Sequence, residues 1–204
     1  MTIEEGTGPG IDPGGGPSWT PIPGGPSVDP GGGGNSVLQE GIDVARRALQ
    51  NENCSKLFGD LSKLGFKSPT DLLDTYANNG LISFGSKDAN GKNFESASVG
   101  ANTTYATGSY SNANGIRISA NVITVNKNGF FFTGLLDGGR FVNTIAGGGF
   151  EGLTMSQIRG AVIIHELLHA VNKIPTNNPK NLNDGGKESK ANAELVRRNC
   201  FGGK

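Results

Sequence analysis

The sequence predicts an α+β fold, with helices at the N-terminal end, a small and mostly antiparallel sheet, a buried central helix and a C-terminal helix. Three observations support this prediction. Apolar residues recur at helical spacing between residues 36 and 78. Short runs of β-favouring residues, separated by turn-forming Gly and Asn, follow in residues 81–133. Helical patterns then return in residues 154–173 and 187–199.

Residues 1–35 differ in composition from the rest of the chain, because they contain seven of its ten prolines and many glycines. Such a segment buries too little apolar surface to offset the entropy lost on ordering it. We therefore interpret residues 1–35 as a Gly/Pro-rich flexible tether. Residues 36–204 are long enough for one domain with a core of its own.

The charge of the chain disfavours two classes of partner. Eighteen acidic and eighteen basic residues give no net charge, so neither a nucleic-acid backbone nor an anionic membrane is an evident partner. No apolar run approaches the roughly 18 residues that a membrane-spanning helix needs. The first residues have neither a basic start nor an apolar stretch typical of an export signal. We predict no nucleic-acid binding and no membrane insertion.

The N-terminal helices are predicted from their caps. Ser36 is a candidate N-cap for the first helix, and a second helix begins near Cys54 and ends at Gly65. Ser68 and Pro69 supply an N-cap and a first-turn proline for a third helix, which stops at an Asn-Asn-Gly turn. The first third of the domain is therefore predicted to be helical.

The middle of the chain contains four candidate strands, residues 81–84, 115–119, 122–126 and 130–133. Lys127-Asn-Gly129 is a turn signal between the last two, which predicts a hairpin. A strand at the edge of such a sheet can line a peptide cleft by strand addition.

The central helix is predicted to begin at a capping box formed by Thr154 and Gln157 and to continue to about Lys173, with Pro175 fixing its end. It is apolar around almost its whole circumference, which predicts burial. A final amphipathic helix follows the polar loop after it.

Both histidines of the chain lie in the central helix, in the pattern His165-Glu166-x-x-His169. Residues i and i+4 of an α-helix differ by about 40° in direction and about 6 Å in height, so both rings can reach one metal ion. Glu166 points about 100° away from His165 and can take a proton from a water bound at that ion. This pattern is the helical signature of zinc-dependent peptidases. The alternative interpretation is an ordinary buried helix with two hydrogen-bonded core histidines and a surface Glu.

A catalytic zinc site usually has three protein ligands and one open position. The motif does not continue as Gly-x-x-His, because Asn172 and Pro175 occupy those positions. Three downstream carboxylates are candidate third ligands: Asp184, Glu188 and Glu194. We favour Asp184, because it lies in a turn that can return the chain to the mouth of the helix, and then Glu188. Each has an alternative role: Asp184 as a turn-forming residue, Glu188 as a charge in the first turn of a helix, and Glu194 as a partner for a nearby arginine.

The two cysteines, Cys54 and Cys200, lie near the two ends of the predicted domain. Their residue type and positions leave three states open. They can form a disulfide in an oxidising compartment, remain as buried thiols, or contribute a thiolate to zinc.

A wider pattern surrounds the zinc motif, comprising Val162–Ala170, Ile174-Pro175, Asp184–Gly186, Ser189, Asn192 and Asn199–Phe201, with Cys54–Phe58 and Val125-Asn126 upstream. This pattern resembles the metallopeptidase domain at the C-terminal ends of many bacterial Rhs or YD-repeat cell-surface proteins. The resemblance covers about residues 40–201. It implies that Asp184 is the third ligand and that the cysteines form a disulfide. Rhs proteins commonly export such domains as toxins or surface effectors, which implies an upstream carrier and a cognate immunity protein.

We therefore expect a zincin-like zinc metalloendopeptidase that hydrolyses protein or peptide substrates. His165, His169 and Asp184 are the expected Zn²⁺ ligands, and Glu166 is the expected general base. We expect a monomer, secreted or at the bacterial cell surface, released from or attached to a larger precursor. A second interpretation is a zinc-stabilised cell-surface binding module without hydrolytic activity. A third is a hydrolase that acts on amides or esters of a cell-wall polymer.

Overall fold

A computed structural model describes residues 32–111, 117–145, 149–174 and 187–202. These residues form six α-helices and a three-stranded sheet, so the predicted α+β class is confirmed. The helices are α1 (Gly32–Ala48), α2 (Glu52–Lys56), α3 (Pro69–Asn78), α4 (Phe130–Thr133), α5 (Met155–Ala170) and α6 (Lys187–Phe201). The strands are β1 (Ile82–Gly85), β2 (Ala101–Ser111) and β3 (Arg117–Asn126). Helix α1 begins at Gly32, so the prediction of Ser36 as its N-cap is wrong: Ser36 lies inside the helix, where its hydroxyl bonds to the Gly33 carbonyl. Residues 32–35 of the predicted tether thus belong to α1, and residues 1–31 lie outside the described ranges.

Helix α3 begins at its predicted cap. The Ser68 side chain accepts a hydrogen bond from the Asp71 amide at 3.1 Å, as expected for the N-cap of α3. The second predicted helix is divided into α2 and a 3₁₀ turn over Ser62–Leu64. Gly59 lies between them with φ +56°, a left-handed conformation that ends the regular helix.

The sheet has the order β1-β3-β2 and is mixed. β2 pairs antiparallel with β3 and β1 pairs parallel with β3, so only one of the two pairings agrees with the predicted, mostly antiparallel sheet. The described part of the predicted strand at residues 115–119 and the predicted strand at 122–126 belong to one strand, because β3 begins at Arg117 and continues through Asn121. β2 was not predicted, since its Asn, Gly and Ser residues weaken the strand signal of its threonines and tyrosines.

The predicted strand at residues 130–133 is wrong, and so is the hairpin that it would complete. These residues form the single helical turn α4. Phe131 is fully buried, and its carbonyl accepts a hydrogen bond from Arg159 of α5 at 3.0 Å. Packing of this phenylalanine-rich turn against α5 therefore overrides the strand preference of aromatic residues.

Helix α5 is the centre of the fold, because it packs against α1, β2, β3 and α6. Every residue from Gly160 to Ala170 is buried. The predicted capping box is present, with Thr154 and Gln157 each bonding the backbone of the other. The helix ends at Ala170, three residues before the predicted end.

Cys54 of α2 and Cys200 of α6 form a disulfide. The bond confirms the pairing implied by the resemblance and excludes buried thiols and a thiolate ligand. No described helix has the length and apolar character that crossing a bilayer requires.

Candidate metal centre

Helix α5 brings the two imidazole rings together. The Nε2 atoms of His165 and His169 lie 3.0 Å apart, and the ring planes are inclined by 65°. Both rings are buried, His169 with only 1% of its surface exposed, and both Nδ1 atoms are enclosed by protein. The two Nε2 atoms therefore lie close together on one side of the helix.

The separation of these nitrogens fits a shared metal ion. Zinc binds imidazole nitrogen at about 2.0–2.1 Å, and a tetrahedral angle then separates two ligands by about 3.3 Å. The observed 3.0 Å is close to this value. The same distance suits a hydrogen bond between the rings in the absence of metal, which holds the pair in nearly the same arrangement.

Glu166 is buried, with 7% of its surface exposed, which contradicts the alternative interpretation of a surface residue. Its Oε2 lies 2.7 Å from the hydroxyl Oγ1 of Thr103 on β2. The same hydroxyl lies 3.1 Å from the backbone carbonyl oxygen of Glu166. The described residues offer no hydrogen bond to Oε1. One carboxylate oxygen is thus held by the sheet.

The C-terminal end of α5 is fixed to the sheet by Asn121 of β3. The side-chain amide of Asn121 donates to the Ala170 carbonyl at 2.7 Å, and its oxygen accepts from the Ala106 amide at 2.9 Å. Ala106 lies at an irregularity of β2, where the register shifts between Thr104 and Gly108. Asn121 therefore holds this bulge of β2 beside the last turn of α5, which contains His169.

The predicted third ligand, Asp184, lies outside the described residues. Glu188 is exposed in the first turn of α6. Within the described ranges, no group of three or more His, Cys, Asp and Glu side chains is arranged to hold a metal ion.

Glu194 has other partners. Its carboxylate accepts hydrogen bonds from Arg197 at 2.6 and 2.7 Å and from Arg198 at 2.5 Å. Hydrogen bonds from these arginines, Arg197 first, lower the pKa of Glu194 to about 2. Its geometry therefore matches the alternative interpretation of an arginine partner.

The N-terminal half of α5 is held by a second polar cluster. Glu40 of α1 accepts hydrogen bonds from Ser156 and Arg159 of α5. The Ser156 hydroxyl and then Arg159 lower the pKa of Glu40, while burial opposes them. Both ends of α5, the helix that carries the His-Glu-x-x-His motif and is called the motif helix below, are thus fixed to neighbouring elements.

A separate groove lies between α1, the start of α5 and the end of α6. Arg47, Asn51, Gln157 and Phe201 are among its lining residues. None of the motif residues lines this groove.

Two residues of the site, Thr103 and Asn121, were not identified from the sequence. The run Thr103-Thr104-Tyr105 carried a signal for a strand, since β-branched and aromatic residues favour strands. Nothing in the sequence indicated that Thr103 contacts Glu166, which is 63 residues away.

No protein-family model matches the chain, and searches of curated proteins and of solved structures found no match either.

Proposed function

We propose that this domain is a zincin-like zinc metalloendopeptidase. The observation that carries the proposal is the convergence of two buried imidazole Nε2 atoms, 3.0 Å apart, on the helix that also bears a buried Glu. His165 and His169 would hold Zn²⁺ through Nε2. Asp184 is the proposed third ligand, with Glu188 as the next candidate.

In this proposal, the chain supplies the general base. A bound zinc ion acts as a Lewis acid that polarises a carbonyl and lowers the pKa of a water toward neutrality. Glu166 accepts a proton from the attacking water and then donates it to the leaving amine. Glu166 directly follows His165 in the helix, and Thr103 bonds its Oε2, so we assign this proton to Oε1.

The exposed part of β2 supports a peptide as the substrate. β2 is an edge strand, and residues 105–107 at its bulge are exposed, Tyr105 with 59% of its surface. Asn121 links this bulge to the end of α5. An extended peptide can bind such an edge through its main chain, close to the motif helix.

The disulfide supports an oxidising location, since such bonds persist mainly outside the reducing cytosol. We propose that the domain is secreted or lies at a bacterial cell surface, released from or attached to a larger Rhs-type precursor. On this proposal it is a monomeric effector or toxin domain, with a carrier upstream and a cognate immunity protein.

The decisive experiment replaces Glu166 by Gln and measures both metal content and peptide cleavage. We expect the wild-type protein to bind one zinc per chain and to digest casein or a peptide library. The E166Q variant should keep its zinc and lose cleavage by about 10²–10⁴-fold, because it lacks the general base. Glu52, an exposed residue of α2, provides a matched control, and E52Q should retain full activity.

Two results would contradict the proposal. Cleavage that survives in E166Q would show that the mechanism is wrong, and a wild-type protein that holds zinc but cleaves nothing would favour the binding-module interpretation.

Zinc titration of D184N tests the third ligand. Loss of a residue that only hydrogen-bonds a metal ligand typically lowers metal affinity by roughly 10–100-fold. We expect the zinc affinity of D184N to fall by at least as much, because a ligand itself is lost. E194Q should bind zinc normally.

A further inference from the structure

The contact between Thr103 and Glu166 joins the sheet to the motif helix. The Thr103 side chain is completely buried, and its hydroxyl reaches both the carboxylate and the backbone carbonyl of Glu166. Successive side chains of a strand point to opposite faces, so this contact belongs to the face of β2 that packs against α5.

The hydroxyl of Thr103 has one proton and two acceptors within reach. The Glu166 carbonyl is the more distant, at 3.1 Å, and as part of a helix it already accepts the amide hydrogen bond from four residues ahead. The carboxylate oxygen is nearer, at 2.7 Å, and an ionised acceptor forms the stronger bond. The proton of Thr103 therefore points to Oε2.

This contact is not a general property of threonines in the sheet. The hydroxyls of Thr104 and Thr124 are also buried, but neither has a hydrogen-bond partner among the described residues. Thr104 is the next residue of β2, and its side chain points to the opposite face. The two threonines differ in whether they contact Glu166, which makes Thr104 a matched control.

The donor is also held rigidly. Thr103 pairs with Ile123 in the ladder between β2 and β3. Asn121, two residues from Ile123, bonds to the end of α5 through Ala170. The strand and the helix are thus fixed relative to each other, and a side-chain donor on a rigid element can orient a reacting group without further ordering.

We propose that Thr103 is a positioning residue, which holds the Glu166 carboxylate in the orientation that the general base requires. This inference rests on the proposed function of Glu166. It goes further by assigning a role in the reaction to β2, since misplacing a reacting group by about 1 Å can cost on the order of 10²-fold in rate.

The test replaces Thr103 by Val, which has nearly the same shape and no hydroxyl. We expect kcat to fall by about 10–100-fold, while KM changes less than about twofold and one zinc per chain remains bound. T103S should recover activity to within about threefold of the wild type, because it restores the donor. T104V should keep the wild-type kcat.

A structural readout separates this inference from the proposed function. Crystal structures of wild-type and T103V protein should show the Glu166 carboxylate bonded to Thr103 in the first and displaced in the second. A wild-type enzyme without peptidase activity would remove the proposed function, while the carboxylate position would still test the contact. The inference is wrong if the carboxylate stays in place in T103V, if kcat is unchanged, or if T103S fails to recover it.

Discussion

At the scale of single residues, three charged side chains of α6 interact with one another. Glu194 is paired with Arg197 and Arg198, and its pKa lies at about 2, below the ordinary 4.5. A carboxylate with a lowered pKa in the folded state stabilises the fold above its unfolded pKa. This stability is lost as the pH falls through the folded value.

We therefore expect E194Q to be less stable than the wild type at pH 7, by up to about 1 kcal/mol, because solvent screens these partly exposed pairs. The difference should shrink between pH 4.5 and about pH 2, where the wild-type carboxyl becomes protonated. Urea unfolding at several pH values measures it. E52Q, in the exposed pair with Lys56, should change stability by less. If E194Q is as much less stable than the wild type at pH 2 as at pH 7, the ionised Glu194 carboxylate and its arginine partners are not the source of the stability.

At the scale of elements, the position of α5 depends on its close approach to α1. Gly160 permits this approach, because a Cβ atom there would lie 2.5 Å from Cγ1 of Val44 and 3.1 Å from the Ala45 amide nitrogen. A neighbour at these distances has to move, and one of these atoms belongs to the backbone of α1. The motif helix therefore contacts α1 through a residue without a side chain.

Replacing Gly160 by Ala should destabilise the fold by about 1–3 kcal/mol, because overpacking outweighs the better helix propensity of Ala. Chemical denaturation measures this change. At Gly33 in α1, an added Cβ atom would have no neighbour within 4 Å, so G33A should cause no loss of stability. If G160A proves as stable as the wild type, α1 and α5 are packed less tightly than described.

At the scale of the whole molecule, the disulfide connects elements from the two ends of the described chain. Cys54 and Cys200 are separated by 146 residues, and the intervening chain contains the sheet and the motif helix. Closing a long loop lowers the entropy of the unfolded chain, which stabilises the fold relative to it. The bond also makes stability depend on the redox state of the compartment.

Replacing both cysteines by serine should lower the free energy of unfolding by about 2–5 kcal/mol. Unfolding curves with and without dithiothreitol test this. Reductant should destabilise the wild type by a similar amount and leave the double variant unchanged. An unaltered wild-type curve after verified reduction would show that the bond contributes little to stability.

The sequence by itself determined the features that depend on neighbours within a turn or two of helix. The caps at Ser68 and Thr154 form as predicted, and the i, i+4 spacing brings His165 and His169 together. These outcomes follow from backbone hydrogen bonding and the period of the α-helix, which act over a few residues.

Only the tertiary structure decided the features that depend on distant partners. The contact of Thr103 with Glu166, the parallel pairing of β1 with β3 and the packing of α4 against α5 all join segments far apart in the chain. Local propensity did not predict them, because it depends only on neighbouring residues, and at α4 packing against α5 outweighs the strand preference of the phenylalanines. The sequence thus determined which residues form the His-Glu-x-x-His motif, and the fold decided which side chain holds its carboxylate.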